Sequence, residues 1–275
     1  MTEQEHHYVL GRDEEETGRL KAQNDLWGPV TERFLDRLDI PEGARIAELG
    51  CGPGLMLESL RARAGADGCV EAYDASPDWL TLIGTRAEAL GWKNVSTHEV
   101  DIRNLELEEG AYDLIFSRWV FSFLPDPEGI IARLSRALKP GGVLAIEDYN
   151  HHGVSSYPHS DGFVAVIEAT RQMYFGQGGD PFVAGRLPIA MSSAGLELCD
   201  LEPTVLAGGP ESGVFQWAHR FFTAESQLDN MQERGGLSDE DRALFKKEWP
   251  VVCATPGAMF YSPILMDVAG RRPFS

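Results

Sequence analysis

The chain has 275 residues, 43% hydrophobic and 24% charged, an ordinary composition for a soluble globular protein with room for one large α/β domain. Its formal net charge of −19 disfavours a broad phosphate-binding footprint, so nucleic acid is not an expected partner. No apolar run approaches the roughly 18 residues that span a bilayer, and the start lacks the blocks of a secretory signal, so no membrane association is expected and the cytoplasm is the expected location.

Residues 13–39 read as a helix, with Leu20, Leu26, Trp27, Val30, Phe34, Leu35 and Leu38 at near-helical spacing and an interruption at Gly28-Pro29. The acidic run at 12–16 suits the start of that helix, where carboxylates complement the macrodipole. A turn at 40–43 then leads into strands expected at 44–49, 69–73, 95–100, 112–117 and 143–148. Between them, Ser76-Pro77-Asp78 and Asp126-Pro127-Glu128 each place a capping side chain before a proline at the first helical position. The LKPGG run at 138–142 stops the second of these helices. Strand and helix alternating at this length imply a parallel sheet covered by helices on both faces.

After Asp148 the rhythm changes. A polar loop at 149–162 precedes helices expected at 163–175 and 186–194, then a strand within 196–208, helical sequence over 214–249 and a closing strand at 257–270. The reading is one domain over 1–275: an N-terminal helical cap at 1–43, a core at 44–148, helical insertions at 149–195 and 209–256 that form a substrate lid, and closing strands at 196–208 and 257–270. The aromatic stripe of Trp217, Phe221 and Phe222 reads as core or lid packing. Cys51, Cys69, Cys199 and Cys253 are widely separated, which suits reduced thiols rather than a zinc ribbon or a disulfide framework.

The chemistry concentrates in ELGCGPG. A strand, a glycine loop and a helix present main-chain N–H groups and a helix N-terminus to a ligand at the carboxyl edge of the sheet. No Lys-Ser or Lys-Thr follows, so this is not a phosphate-binding P-loop, and Leu55 stands where a dinucleotide loop has its third glycine. What remains is an acidic residue, Glu48, ahead of Gly50, Gly52 and Gly54. Asp74 ends the second strand, where a carboxylate can accept both hydroxyls of a ribose. Asp101-Ile102 ends the third, pairing an acceptor for an adenine amine with an apolar side chain for the ring. Three successive strand ends thus supply the parts of a nucleoside site.

IAELGCGPG, AYDAS, VDI, YDLIFSRWVFSFLPDP and LKPGGVLAIED together resemble the class I S-adenosylmethionine-dependent methyltransferases over about residues 40–150, and the flanks look like a bacterial small-molecule branch. The resemblance implies a Rossmann-like, seven-stranded, mostly parallel sheet with its last strand antiparallel, helices on both faces and helical cap insertions. It implies S-adenosyl-L-methionine as cofactor, S-adenosyl-L-homocysteine as product, and no metal. By carry-over, Glu48, Gly50, Cys51, Gly52 and Gly54 wrap the methionine and ribose portion. Asp74 and Ala75 hold the ribose, Asp101 and Ile102 the adenine, and Ser117 and Arg118 the cofactor floor through main-chain contacts. Tyr8 and Gln23 are expected at the methionine end.

His151 and His152 follow the fifth strand directly. One reading makes one of them a general base or a group that orients substrate, with Asp148 and Tyr149 as further catalytic candidates; the other makes the histidines a solvated pair. Irregular spacing argues against a metal held by His151, His152 and His159. One of Trp119, Phe121 and Phe123 is expected beside the cofactor's positive sulfur. The expected reaction is methyl transfer to O, N or C of a small organic molecule by in-line displacement. The rival readings are a methyltransferase acting on RNA or protein, and a non-catalytic nucleoside-binding module of the same fold. The oligomeric state stays open, a homodimer included.

Overall fold

The structure is a computed structural model that describes residues 14–234 and 236–274. In chain order its elements begin α1 (Glu14–Arg37), β1 (Arg45–Leu49), α2 (Leu57–Ala64), β2 (Cys69–Asp74), α3 (Pro77–Ala89) and β3 (Val95–Glu99). They continue β4 (Tyr112–Arg118), α4 (Pro127–Ala137), β5 (Leu138–Asn150), β6 (Ser155–Tyr157), α5 (Asp161–Phe175), α6 (Leu187–Ser193) and β7 (Glu197–Thr204). The chain finishes β8 (Ala207–Gly208), α7 (Gly213–Thr223), α8 (Glu225–Glu233), α9 (Asp239–Ala254), β9 (Met259–Tyr261) and β10 (Ile264–Arg271). They fall into two units. One holds the chain up to Pro29, Gly153–Gln177 and Val205–Pro263; the other holds Val30–His152, Gly178–Thr204 and the residues from Ile264 on.

The second unit is built on a seven-stranded sheet in the order β3-β2-β1-β4-β5-β10-β7. β1 pairs in parallel with β2 and β4, β2 with β3 and β4 with β5, while β10 runs antiparallel to both β5 and β7. Side chains alternate between the faces, as the period of a strand requires. Ile46, Ala72, Phe116 and Ala145 join Phe34, Leu57, Leu60 and Ile83 on one face. Ala47, Tyr73, Ile115 and Ile146 join Ile131, Leu134, Leu187 and Met191 on the other. With both faces covered, β1, β4 and β5 are largely buried, whereas β3 at the sheet edge is exposed, and the polar strand ends are what the sheet leaves to a ligand.

The other unit contains the three-stranded sheet β6-β9-β8 and packs α5 against α9. Its centre is aromatic: Trp249 stacks on Phe163 at 4.8 Å and on Phe215 at 5.4 Å between ring centroids. Trp249 Nε1 donates to His219 Nδ1 at 3.0 Å, so the imidazole proton sits on Nε2. A Cβ on Gly162 would lie 2.4 Å from the main-chain nitrogen of Phe245, which is how closely α5 and α9 approach.

Several boundaries differ from the sequence reading. α1 runs through Pro29 without interruption, the lost hydrogen bond being offset by burial of Trp27, Val30 and Phe34. The LKPGG run does end α4, yet it already belongs to β5, whose pairing with β4 shifts register between Tyr112 and Leu114. The strands expected at 196–208 and 257–270 each split between the two sheets. Ser262 Oγ accepts from the main-chain N–H of Leu206 at 3.0 Å, fixing the turn where β9 ends. The Ser76 hydroxyl makes no cap bond on α3, whereas Asp126 does cap α4 by accepting from Gly129 at 3.0 Å. Among the described residues no helix is long and apolar enough to cross a membrane.

Candidate functional site

The ends of β1, β2, β4 and β5 bring most of the expected site residues to one edge of the large sheet. The three glycines of the loop after β1 all take left-handed backbone, with φ of +65° at Gly50, +50° at Gly52 and +71° at Gly54. They are there for different reasons. A Cβ on Gly50 would meet Val120 Cγ2 at 2.4 Å, and one on Gly54 would meet Leu57 and Ile83 at 2.7 and 2.8 Å. Those two admit the protein's own side chains. A Cβ on Gly52 would meet nothing within 4 Å among the described residues. Of the three, Gly52 is the one whose bare backbone no described side chain covers, as a backbone approached by a ligand must be.

Hydrogen bonds fix the loop to β2. The Tyr73 carbonyl accepts from Gly50 and Cys51 at 2.8 and 3.1 Å. Asp74 Oδ2 accepts from the N–H of Gly52 at 2.8 Å and Oδ1 from that of Ser76 at 2.8 Å. Ala75 is exposed between them, and Ser76 is buried with a hydroxyl that meets no partner among the described residues. Cys51 is buried, and burial beside Glu48 and Asp74 pushes its thiol well above the ordinary range. It is a small neutral filler.

Glu48, the penultimate residue of β1, has only 5% of its surface exposed. Burial pushes its carboxyl up to about 8 against the pull of Arg118, and the nearby Asp74 charge adds to the rise. Its Oε2 is buried and has no donor among the described residues. An acid kept neutral, or met by a ligand's positive charge, satisfies that atom.

Asp101 caps the turn at Ile102–Asn104, accepting from the Arg103 N–H at 2.9 Å, and its carboxylate is also gripped by the Arg103 guanidinium. An adenine amine at Asp101 therefore shares the carboxylate with that pair. Ile102 is buried within the core on the α4 face.

The floor is polar and under strain. Ser117 is fully buried, and its hydroxyl donates to the Leu49 carbonyl at 3.2 Å. Arg118 donates from Nη1 to Thr31 Oγ1 at 3.0 Å and lies over the Trp119 ring, its guanidinium carbon 4.2 Å from the centroid. Burial draws the guanidinium below its ordinary value, opposed by Glu147 and Glu48. Trp119 has φ of 58°, an uncommon conformation for a bulky residue and one that occurs at ligand sites. It stacks on Tyr149 at 5.9 Å, and Tyr149 meets His151 edge-on at 6.2 Å.

The four catalytic candidates divide by environment. Asp148 is fully buried, its oxygens accepting from the main-chain N–H groups of Ser122 at 3.1 Å and Tyr149 at 2.7 Å. Burial pushes its carboxyl up to about 6 against those bonds. Tyr149 and His151 are buried beside Trp119, whereas His152 is exposed and stacks on Phe182 at 4.3 Å. His159 bonds Asp161 at 2.9 Å in the other unit, and among the described residues no cluster of histidine, cysteine and carboxylate side chains could hold a metal. Gln23, buried and accepting from Arg19 at 2.8 Å, also belongs to the other unit. Tyr8 lies outside the described residues.

Two contributors were not foreseen. The GDPF turn at 179–182 closes on the segment after β4: Asp180 donates its N–H to the Ser122 carbonyl at 2.9 Å, and the His151 N–H reaches the Pro181 carbonyl at 3.1 Å. A Cβ on Gly179 would sit 2.3 Å from that Ser122 oxygen. The second is Glu147, whose Oε1 accepts from Thr31 Oγ1 at 2.7 Å behind the floor. The glycine at 179 was a local signal for the first. The second had none, because it depends on α1 lying over β5.

Residues 46–142 match the family model described as a methyltransferase domain. Aklanonic acid methyltransferase DauC of Streptomyces sp. (strain C5) is 28% identical over 121 residues, 44% of this chain and 55% of that protein. Trans-aconitate 2-methyltransferase of Rhizobium leguminosarum bv. trifolii (strain WSM2304) is 36% identical over 138 residues, 50% of this chain and 51% of that protein. The chain thus spans about half the length of these curated relatives. Phosphoethanolamine N-methyltransferase 2 of Haemonchus contortus, solved with phosphomonomethylethanolamine and S-adenosylhomocysteine, shares the fold with a TM-score of 0.58 at 19% identity, over 94% of this chain and 57% of that one.

Proposed function

We propose that this chain, by family a class I S-adenosylmethionine-dependent methyltransferase, transfers a methyl group from that cofactor to an oxygen, nitrogen or carbon of a small organic molecule. The observation that carries the reading is Gly52: a bare backbone with a left-handed φ, facing open space and tied by its N–H to the Asp74 carboxylate. The unpartnered, buried oxygens of Glu48 and Ser76 beside it fit a ligand with a cationic group and several hydroxyls.

The sulfonium supplies a methyl group already activated for in-line displacement. The chain's own residues bind, orient and exclude water. Asp74, which accepts from the main-chain N–H groups of Gly52 and Ser76, would hold the ribose. Glu48 would meet the methionine ammonium, and Asp101 and Ile102 the adenine. Arg118 and Trp119 form the floor, and Tyr149 and His151 the wall beside it. Alignment of nucleophile and methyl carbon is worth several kcal/mol of barrier. His151 is placed to orient an acceptor or take its proton, which matters for a hydroxyl and hardly for an ionised carboxylate.

The relatives named above for aklanonic acid and trans-aconitate support a small-molecule acceptor, and a net charge of −19 disfavours RNA. The reading keeps one functional domain, in the cytoplasm, with the helical segments at 149–195 and 209–256 recognising the acceptor. Titration calorimetry with S-adenosylmethionine, followed by donor consumption across a panel of acceptors, tests it. Absence of binding sinks the whole reading. Binding without consumption for any acceptor leaves the binding-module alternative. Exchanging residues 160–180 without a change of acceptor preference removes the assignment to the helical segments.

A further inference from the structure

Behind the floor of the site, two carboxyl groups face each other. β5 and β10 are antiparallel with Glu147 directly opposite Asp267. Both are buried, with 0% and 1% of their surfaces exposed. Directly opposed residues of an antiparallel pair place their side chains side by side on one face, and the two carboxyl groups interact there; among the described residues no N–H or O–H donor reaches Glu147 Oε2 or Asp267 Oδ1. Two ionised carboxylates cannot sit so, because nothing between them satisfies or separates the charges.

The outer oxygens are engaged. Thr31 Oγ1 donates to Glu147 Oε1 at 2.7 Å and accepts from Arg118 Nη1 at 3.0 Å. Arg37 Nη2 donates to Asp267 Oδ2 at 2.7 Å. The resulting chain runs from Arg118 through Thr31, Glu147 and Asp267 to Arg37. Glu147 also holds the floor by its main chain, since its carbonyl accepts from Trp119 N–H at 2.9 Å.

Resting on the cofactor reading above, we propose that Glu147 and Asp267 share one proton and that Glu147 is thereby a positioning residue, holding Arg118 and Trp119 in place through Thr31 for cofactor binding. The proton bridges Glu147 Oε2 and Asp267 Oδ1, leaving one negative charge on the pair. Loss of that proton puts a second charge between Arg37 and Arg118 and sets the carboxylates against each other. Thr31 and Arg118 are then drawn out of register with Trp119.

The surroundings agree on direction. Burial raises both acids above the ordinary carboxyl range. Arg118 from β4 and Arg37 from α1 oppose the rise. From β7, Asp200 adds to it and is itself paired with Arg37, as is Glu202. Glu48 from β1 and Glu32 from α1 act on Arg118 from its other sides.

Two measurements on the full chain decide it. In cofactor-free protein, infrared difference spectra across the titration show a protonated-carboxyl band at neutral pH that disappears in Glu147→Gln and in Asp267→Asn; a band unchanged in both overturns the shared proton. Calorimetric affinity for S-adenosylhomocysteine falls by about tenfold from pH about 7 to about 9 in the wild type. Glu147→Ala is weakened at every pH. Glu147→Gln, whose amide donates to Asp267 permanently, binds more tightly than Glu147→Ala and has no alkaline fall. An alkaline fall that survives in Glu147→Gln and vanishes in Glu48→Gln overturns the positioning role. No binding by the wild type at any pH overturns the cofactor reading and the positioning role with it, while the infrared band still judges the shared proton.

Discussion

The N–H of Gly52 donates to Asp74 Oδ2 at 2.8 Å, joining the loop after β1 to the end of β2. One carboxylate therefore holds the turn of the glycine loop by its main chain. In the reading proposed above the same carboxylate would also hold the ribose, so a change at Asp74 would disturb both.

Asp74→Ala is expected to weaken S-adenosylmethionine by at least about tenfold, or about 1.4 kcal/mol, in titration calorimetry. Unchanged affinity would falsify the ribose assignment. Asp74→Asn, which keeps one acceptor oxygen, falls between the wild type and Asp74→Ala.

The three loop glycines are predicted to respond differently to alanine. Gly52→Ala meets only the cost of a left-handed φ, about 1 kcal/mol, and folds, but its new methyl occupies the ligand's side of the loop and lowers affinity. Gly50→Ala adds a clash with Val120 and unfolds at lower temperature. The double variant Gly50→Ala/Val120→Ala recovers part of that melting temperature; no recovery means that the clash is not the cause.

Folding stability should decline as pH rises from about 4.5 to about 8 through Glu48, raised to about 8 by burial, and through Glu147, which burial shifts in the same direction. Each binds its proton more tightly folded than unfolded, so the unfolded state carries fewer protons across that window and the slope is negative, up to about 1.4 kcal/mol per pH unit per group. Above about 8 the loss is complete. Urea unfolding of Glu48→Gln and Glu147→Gln at a series of pH values should show flatter profiles than the wild type.

In the other unit, Gly162→Ala is expected to destabilise by about 1–3 kcal/mol, because its methyl would press on the main chain of α9 at Phe245, which cannot rotate away. Thermal unfolding checks this. A melting temperature equal to the wild type's means that the two helices part at little cost.

Most of the large sheet was legible before any coordinates. Strands alternating with capped helices up to Asp148 imply a parallel sheet, and Asp74 and Asp101 stand out as site candidates because Asp74 ends β2 and Asp101 lies two residues past β3. Beyond Asp148 the local signals were just as strong, yet they did not say which sheet a strand joins. The segment at 257–270 reads as one strand, but the Ser262-Pro263 turn sends its halves to different sheets. Likewise Pro29 looks like a break in α1, and only the burial around it shows why the helix continues.

The order of residues alone carried the alternation of strands and helices in the core and the carboxylates at the strand ends, because these rest on short-range periodicity and on spacing along one strand–loop–helix unit; the seven-stranded sheet and the cofactor class were implied by the resemblance of those motifs to the class I methyltransferases. That a Cβ on Gly50 but not one on Gly52 would meet a described side chain, and that Glu147 meets Asp267, were decided by the tertiary structure. Each depends on groups far apart in the chain: Val120 against Gly50, and β10 returning antiparallel beside β5. Periodicity says which face a side chain takes. The partner it meets there, and hence whether it is charged, is set only when the strands are paired.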